Sequence, residues 1–246
     1  MTLVLPGDTV SLPSTSALTL GPGISASSSR SSDPYAGPSA DASSSFIATR
    51  LGLLSSQKGK GKDTSESYWV DGRSKRYIPA QRELVLGTVI ARHSEGFRVD
   101  LGSSQMASLD ALAFEGATKR SKPNLKVGML VYARVSLANR DMETEIECFD
   151  AASGKAEGFG ELKGGLMITT SLEFARQLLT PKHPLLPALA AQFPFEIAVG
   201  MNGRIWFKAG DVSQTIAIKR VLERAEKGEV GTGKEEVGRA VREFAA

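Results

Sequence analysis

Gly200-Met201-Asn202-Gly203-Arg204-Ile205-Trp206 couples a Gly-x-Asn-Gly turn to an apolar strand, and its reading decides the organisation of the C-terminal third. Glycines lack a Cβ, so a glycine pair lets the backbone take positive φ and approach a phosphate or another backbone. Asn202 and Gly203 are the residues expected to supply the positive φ of a primed hairpin turn. A turn joining two strands, and packing this part of the chain against its neighbour, is favoured over phosphate binding. Trp206, beside Ile205 and Phe207, reads as core or interface rather than as a base-stacking platform.

Outward from the turn, the pattern predicts strands at Phe195–Val199 and Arg204–Lys208, preceded by a strand at Leu166–Thr169 and helices at Ser171–Leu179 and Leu185–Gln192. A helix over Val212–Ala225 follows, burying Ile218, Val221, Leu222 and Ala225. Thr170 with Glu173 reads as a capping box, and Pro181 closes the first helix. The tail after Lys227 is charged and helix-competent. The order βααββα is that of a KH RNA-binding domain, whose clamp is a Gly-x-x-Gly loop between the first two helices. Here that position reads Thr180-Pro181-Lys182-His183-Pro184. It has no glycine, so the usual clamp is missing and the KH domain is divergent.

Upstream, five strand candidates lie between Glu83 and Asp150: Leu84–Ala91, Phe97–Leu101, Gln105–Leu109, Met129–Val135 and Glu145–Cys148. In the second, Phe97, Val99 and Leu101 face one way while Arg98 and Asp100 face the other, the alternation of a half-buried strand. Five short strands in so small a span fit a closed OB-type barrel. Farther upstream, Leu3-Val4-Leu5, Leu18-Thr19-Leu20, Tyr68-Trp69-Val70 and Tyr77-Ile78 read as one small sheet, with a hairpin at Asp71-Gly72. The serine-rich stretch 25–67 interrupts it and reads as mostly disordered, with a brief helix over Phe46–Leu54. Within it Lys58-Gly59-Lys60-Gly61-Lys62 reads as a solvated basic linker. The expected class is mainly β with an α+β C-terminal domain: a small N-terminal β domain at 1–80, the barrel at 81–152 and the divergent KH domain at 153–246.

The 246 residues carry a formal charge of only +3, with a pI near 9.0. That is a mild electrostatic bias, so any affinity for a polyanion must come from local patches or from partners. Cys148 is the single cysteine; it forms no internal disulfide, reads as a small buried hydrophobe, and fits a reducing compartment. Pro6, Gly7 and Asp8 interrupt the apolar run a signal peptide would need, and no stretch is long and apolar enough to span a bilayer.

The best basic cluster is Lys119, Arg120 and Lys122, ahead of Pro123 and Asn124 in the loop Lys119-Arg120-Ser121-Lys122-Pro123-Asn124. Cations that close can track a phosphodiester backbone, and OB folds bind single strands through loops and one sheet face; a solvated charged loop is the competing reading. Arg92 and Arg98 are further candidates on neighbouring strands, with His93 and Phe97 near them, although Phe97 reads as core. Catalysis finds little support. His93 and His183 fall in different domains without an evident nucleophile or metal-ligand partner. Asp141, Glu143, Glu145 and Glu147 alternate and could in principle hold Mg²⁺, but such sites need carboxylates from several elements, and a solvated strand edge is favoured. No cofactor is expected.

Several runs together resemble one family: Val4-Leu5-Pro6-Gly7-Asp8, Leu20-Gly21-Pro22-Gly23, Tyr68-Trp69-Val70-Asp71, Lys75-Arg76-Tyr77 with Pro79, Phe114-Glu115-Gly116-Ala117-Thr118-Lys119-Arg120, and Gly200 to Trp206. In this order they are similar to the ribosomal-RNA-processing protein 40 type of cap subunit of the eukaryotic RNA exosome. A sister cap subunit shares the three-domain plan, but Arg204 and the run Phe114–Arg120 favour this family. The resemblance implies an N-terminal β domain, a central S1 domain of OB type and a divergent KH domain. It also implies a non-catalytic subunit in a hetero-oligomer, with RNase PH-like ring subunits, other cap subunits and single-stranded RNA as partners. By position, Lys119, Arg120 and Lys122 fall on the loop expected to face the RNA entrance. Gly200, Met201, Asn202 and Gly203 fall on the family's motif at the contact between barrel and KH domain. Nucleus, nucleolus and cytoplasm are the implied locations. The insertion at 25–67 departs from the compact family pattern. The rival readings are a free-standing OB/KH single-stranded RNA-binding protein and a Mg²⁺-dependent nuclease using the 141–147 carboxylates.

Overall fold

The computed structural model describes residues 2–12, 18–27, 45–58, 66–72, 74–139, 141–180, 183–230 and 234–245. They fall into two units, Met1–Arg73 and Ser74–Ala246.

Among its described residues the first unit holds seven strands: β1 (Thr2–Val4), β2 (Thr9–Val10), β3 (Leu18–Leu20), β4 (Ile24–Ser27), β5 (Ser45–Ala48), β6 (Gly52–Lys58) and β7 (Glu66–Asp71). They form two sheets, ordered β1-β6-β7-β3 and β2-β5-β4, enclosing Val4, Val10, Ile24, Ala48 and Val70. This corrects three expectations. Phe46–Leu54 is not a helix but the end of β5 and the start of β6. Residue 46 pairs with Val10 on one side and Ala26 on the other, and Gly52 lies so close to Asp71 that a Cβ would overlap its carbonyl. The serine-rich stretch is not one insertion, because Ser55 and Ser56 lie in a ladder opposite Trp69 and Tyr68. A strand whose backbone is paired needs few apolar side chains of its own, so composition concealed it. Residues 28–44 and 59–65, including most of the lysine-glycine tract, lie outside the described residues.

The third correction concerns Asp71-Gly72, which closes no hairpin with Tyr77-Ile78. β7 is already occupied on both sides, antiparallel to β6 and parallel to β3. Tyr77 belongs to the second unit and is buried in the barrel core, where its hydroxyl donates to Glu83 at 2.7 Å. Burial first, and that hydrogen bond second, push its phenol well above the usual tyrosine range.

The second unit begins with β8 (Leu84–Arg92), β9 (Gly96–Asp100), β10 (Ala107–Phe114), β11 (Leu130–Leu137) and β12 (Glu145–Cys148). The strands run β12-β10-β9-β8-β11, and β12 pairs again with β11 to close a five-stranded barrel. Only β10 and β12 are parallel. The alternating residues Val85, Val89, Phe97, Val99, Leu109, Val131, Ala133, Val135 and Ile146 fill the interior, as period-two strands closed on themselves require. β10 starts later and runs longer than the sequence pattern suggests, because Ala111 continues the inward set. A sixth strand, β13 (Gly160–Leu162), joins the open side of β11.

Then come β14 (Leu166–Thr169), α1 (Leu172–Leu179), α2 (Leu185–Ala190), β15 (Phe195–Val199), β16 (Arg204–Ala209), α3 (Val212–Glu226) and α4 (Lys234–Ala245). The sheet order is β14-β16-β15. Ile205 and Phe207 on the central strand are fully buried with Phe174, Leu178, Leu189, Ile218 and Leu222 from the helices. The N-cap of α1 is Ser171, whose hydroxyl accepts from Phe174 N, so the helix starts one residue later than expected and Thr170 and Glu173 form no capping box. Phe174 cannot return the bond, and Ser171 N donates to Glu226 instead. Thr170 is engaged elsewhere: its amide and hydroxyl both donate to Gly203 O. Pro181 and Lys182 lie outside the described residues. On the opposite face of the sheet, Trp206 and Ala198 pack with Leu86 of the barrel, flanked by Tyr132, Leu162 and Met167. Barrel and KH-type sheet therefore share a second, smaller core.

Candidate nucleic-acid interface

The loop between β10 and β11 carries the cationic cluster. Gly116 takes φ +68°, and Thr118 and Ser121 exchange backbone hydrogen bonds. These turns push Lys119 and Arg120 to an exposed tip. Leu125, 2% exposed, anchors the returning arm in the barrel core. Lys122 Nζ donates to Ser94 O at 3.0 Å and Arg92 Nη1 donates to Asn124 Oδ1 at 2.8 Å. These two bonds tie the loop to the β8–β9 hairpin. Lys119, Arg120, Lys122 and Arg92 thus gather at one end of the barrel, and among the described residues Lys119 and Arg120 have no acidic partner. Arg98 stands apart on β9 in an exposed ion pair with Glu143 at 3.3 Å. His93 is exposed beside the hairpin, while Phe97 is core, 3% exposed.

Two carboxylates of the acidic run, Glu143 and Glu147, are taken by different arginines rather than gathered. Glu147 binds Arg134 at 2.7 Å, Asp150 binds the same guanidinium at 2.6 Å, and Glu143 is taken by Arg98. Among the described residues no group of three or more His, Cys, Asp or Glu could hold a metal ion. Cys148 is buried, and burial pushes its thiol far above the usual range. His183 is held below the usual histidine range by burial.

The Gly200–Gly203 turn lies against the barrel. Gly203 N donates to Gly200 O at 3.1 Å and Gly200 N to Arg204 O at 2.8 Å. Only Gly203 has positive φ, +74°, so this is a turn followed by a left-handed glycine rather than the expected primed pair. Asn202 keeps negative φ because its side chain is used elsewhere. Only 6% of the residue is exposed. Its Oδ1 accepts from Leu86 N at 3.2 Å, and Nδ2 donates to Leu86 O at 2.7 Å and Leu101 O at 2.9 Å. Met201 N adds a bond to Leu84 O at 2.7 Å. A Cβ on Gly200 would overlap the Asn202 amide, and one on Gly203 would stand 2.5 Å from Thr170 O. Trp206 Nε1 donates to Gly164 O at 2.8 Å.

Two residues outside the expected site complete the joint. Arg204 donates from Nη1 to Asp100 O and from Nη2 to Asp100 Oδ2, both at 2.6 Å. Burial pushes the Asp100 carboxyl up, but the hydrogen bonds from Arg204 and Gly102 N, with the Arg204 charge, outweigh it and hold the group below the usual range. A signal was present: Arg204 shares the strand face of Trp206, an arginine aimed at an interface that must offer it an acceptor.

A barrel with one parallel strand pair, joined to a βααββα sheet whose outer face it covers, defines the class of S1–KH proteins. Profiles described as the RRP40 exosome component S1 domain, a KH domain and the Rrp40 exosome exonuclease N-terminal domain match residues 77–160, 165–213 and 18–76. The chain belongs to the Rrp40 family of exosome complex components. Exosome complex component rrp40 of Schizosaccharomyces pombe is 51% identical over 76% of this chain and 75% of that protein. Exosome complex component RRP40 of Saccharomyces cerevisiae is 38% identical over 99% and 97%. A solved structure described as a putative exosome complex RNA-binding protein shares the fold at TM-score 0.58 and 19% identity, covering 69% of this chain and 97% of that one.

Proposed function

We propose that this chain is a non-catalytic cap subunit of an RNA exosome. It steadies a ring of RNase PH-like subunits beside other cap subunits and leads single-stranded RNA towards a 3'-5' exoribonuclease channel, in nucleus, nucleolus and cytoplasm. The observation that carries this reading is the cationic barrel end, where Lys119 and Arg120 are exposed at a braced loop tip while Arg92 and Lys122 hold the loop in place. Fixed cations at an opening attract phosphates without reading sequence, which suits a conduit for many RNAs. The relatives named as exosome components support the assembly. The pairing of Glu143, Glu147 and Asp150 with arginines supports assigning bond cleavage to other subunits.

The test is nuclease protection of single-stranded RNA by the reconstituted complex carrying Lys119→Ala, Arg120→Ala and Lys122→Ala together. The expected result is a shorter or weaker protected fragment with assembly intact. The slope of log affinity against log salt should also become shallower by roughly 0.7 for each phosphate no longer neutralised. Protection identical to the parent complex removes the entrance role from this loop.

A further inference from the structure

The cationic loop carries a hydroxyl that phosphate attraction leaves unused. Lys119 and Arg120 precede Ser121 and Lys122 follows it, and Ser121 is exposed with them at the loop tip. Its amide is occupied, donating to Thr118 O at 3.0 Å and to Thr118 Oγ1 at 3.1 Å. Its own hydroxyl is bonded to no other group among the described residues. Thr118, the other hydroxyl of the tip, already uses its oxygen as an acceptor for that amide. Ser94, across at the β8–β9 hairpin, has Glu95 rather than a cation after it. Among the described residues, the backbone bonds that close the tip join Thr118 and Ser121 alone. The tip therefore opens into an extended strand while Leu125 stays in the barrel core.

We infer that Ser121 is a phosphorylation site for a kinase with an acidic peptide groove, and that its phosphate switches off the loop's hold on RNA, a role that rests on the entrance reading proposed above. Cations before and after the serine are what an acidic groove selects. In the transfer, Ser121 Oγ bonds to the γ-phosphorus of ATP and the bond from that phosphorus to the bridging oxygen breaks. ADP leaves with the electron pair, and the hydroxyl proton passes to the kinase's base. The product carries about two negative charges and three acceptor oxygens. Set among Lys119, Arg120 and Lys122, it offsets most of their charge. Lys119 and Arg120, without acidic partners among the described residues, gain one inside the loop. An RNA backbone then loses its cations and meets a like charge.

In the test, the full chain is treated with MgATP and the catalytic domain of a serine kinase that selects basic residues on both sides of its target, and mass spectrometry places the phosphate. One phosphate on Ser121 is expected, absent in Ser121→Ala and kept in Thr118→Val. The chain isolated from its own cells under phosphatase inhibition is expected to carry the same phosphate. The modified chain is then assembled into the complex and its affinity for oligouridylate is read by fluorescence anisotropy. Binding should weaken about tenfold, with the slope of log affinity against log salt shallower by about 1.4 for two phosphates no longer neutralised, and phosphatase should restore both. The Ser121→Ala complex should not respond to the kinase. Phosphate on Thr118 or Ser94 instead, or an unmodified Ser121 in either preparation, overturns the site. Binding weakened by the triple alanine variant at 119, 120 and 122 but not by the phosphate overturns the switch and leaves the entrance reading standing. Binding indifferent to both overturns the two together.

Discussion

Asn202 concentrates the physics of the second unit in one amide. Both of its polar atoms are buried and bonded to barrel backbone, so truncating it strips partners from Leu86 and Leu101 in a place water does not reach. Asn202→Ala should lower unfolding free energy by about 3 kcal/mol, since buried backbone groups would be left unpaired; urea titration measures it. Asn202→Asp should cost more, because a carboxylate would face the carbonyls of Leu86 and Leu101 with no proton to donate. Beside it, Asp100 links this joint to pH. Its folded pKa is depressed, so its contribution is fully present above about pH 4 and is lost as pH falls through the folded value. Asp150 is also depressed, chiefly by the Ser153 amide, and adds to the same acid limb. Denaturation midpoints should fall on acidification below about pH 4, and Asp100→Asn should flatten part of that fall. At this scale the sequence showed a turn former at 202 but not its partners. Leu84, Leu86 and Leu101 lie 101 to 118 positions away from the residues that grip them, a separation no local pattern encodes.

Elements whose side chains alternate were legible, and those whose few apolar residues are set among serines were not. Phe97, Val99 and Leu101 announced a barrel strand, and the helical stripe of α3 announced the KH-type layer. By contrast, β5 and β6 were hidden among serines: Phe46, Ala48 and Leu54 reach the core, but these apolar residues are too few to show a period, and the ladders to neighbouring strands complete the elements. β13 escaped notice because a three-residue strand has too few side chains to show a period. The cationic loop belongs to this scale too, since its position depends on Leu125 more than on its charges. Leu125→Ala should cost about 2–5 kcal/mol by leaving a cavity, and in the assembled complex should weaken RNA protection although every cation remains. The triple alanine variant at 119, 120 and 122 should leave stability within about 0.5 kcal/mol, being confined to exposed positions. Measuring unfolding and protection on both variants separates a braced loop from a merely charged one.

Across the whole molecule, the barrel and KH-type sheet behave as one body because the Leu86–Trp206 core and the Asn202 and Arg204 bonds cross between them. Gly203→Val tests that unity: a β-branched residue resists φ +74° and its Cβ would press on Thr170 O. It should lower stability by more than about 2 kcal/mol and reduce recovery of the chain in affinity-purified complex, while the triple alanine variant is recovered normally. Equal recovery of both would show that the joint is irrelevant to assembly.

The hold of Asn202 falls on main-chain atoms alone, so it is blind to the side chains the barrel carries at 86 and 101. Leucine there could drift to isoleucine or methionine, at the small expense of volume-conserving exchange, while the hinge between the two folds stays locked. The grip thus asks of the barrel only apolar volume and a backbone in the right place at 86 and 101, and of the turn one particular carboxamide.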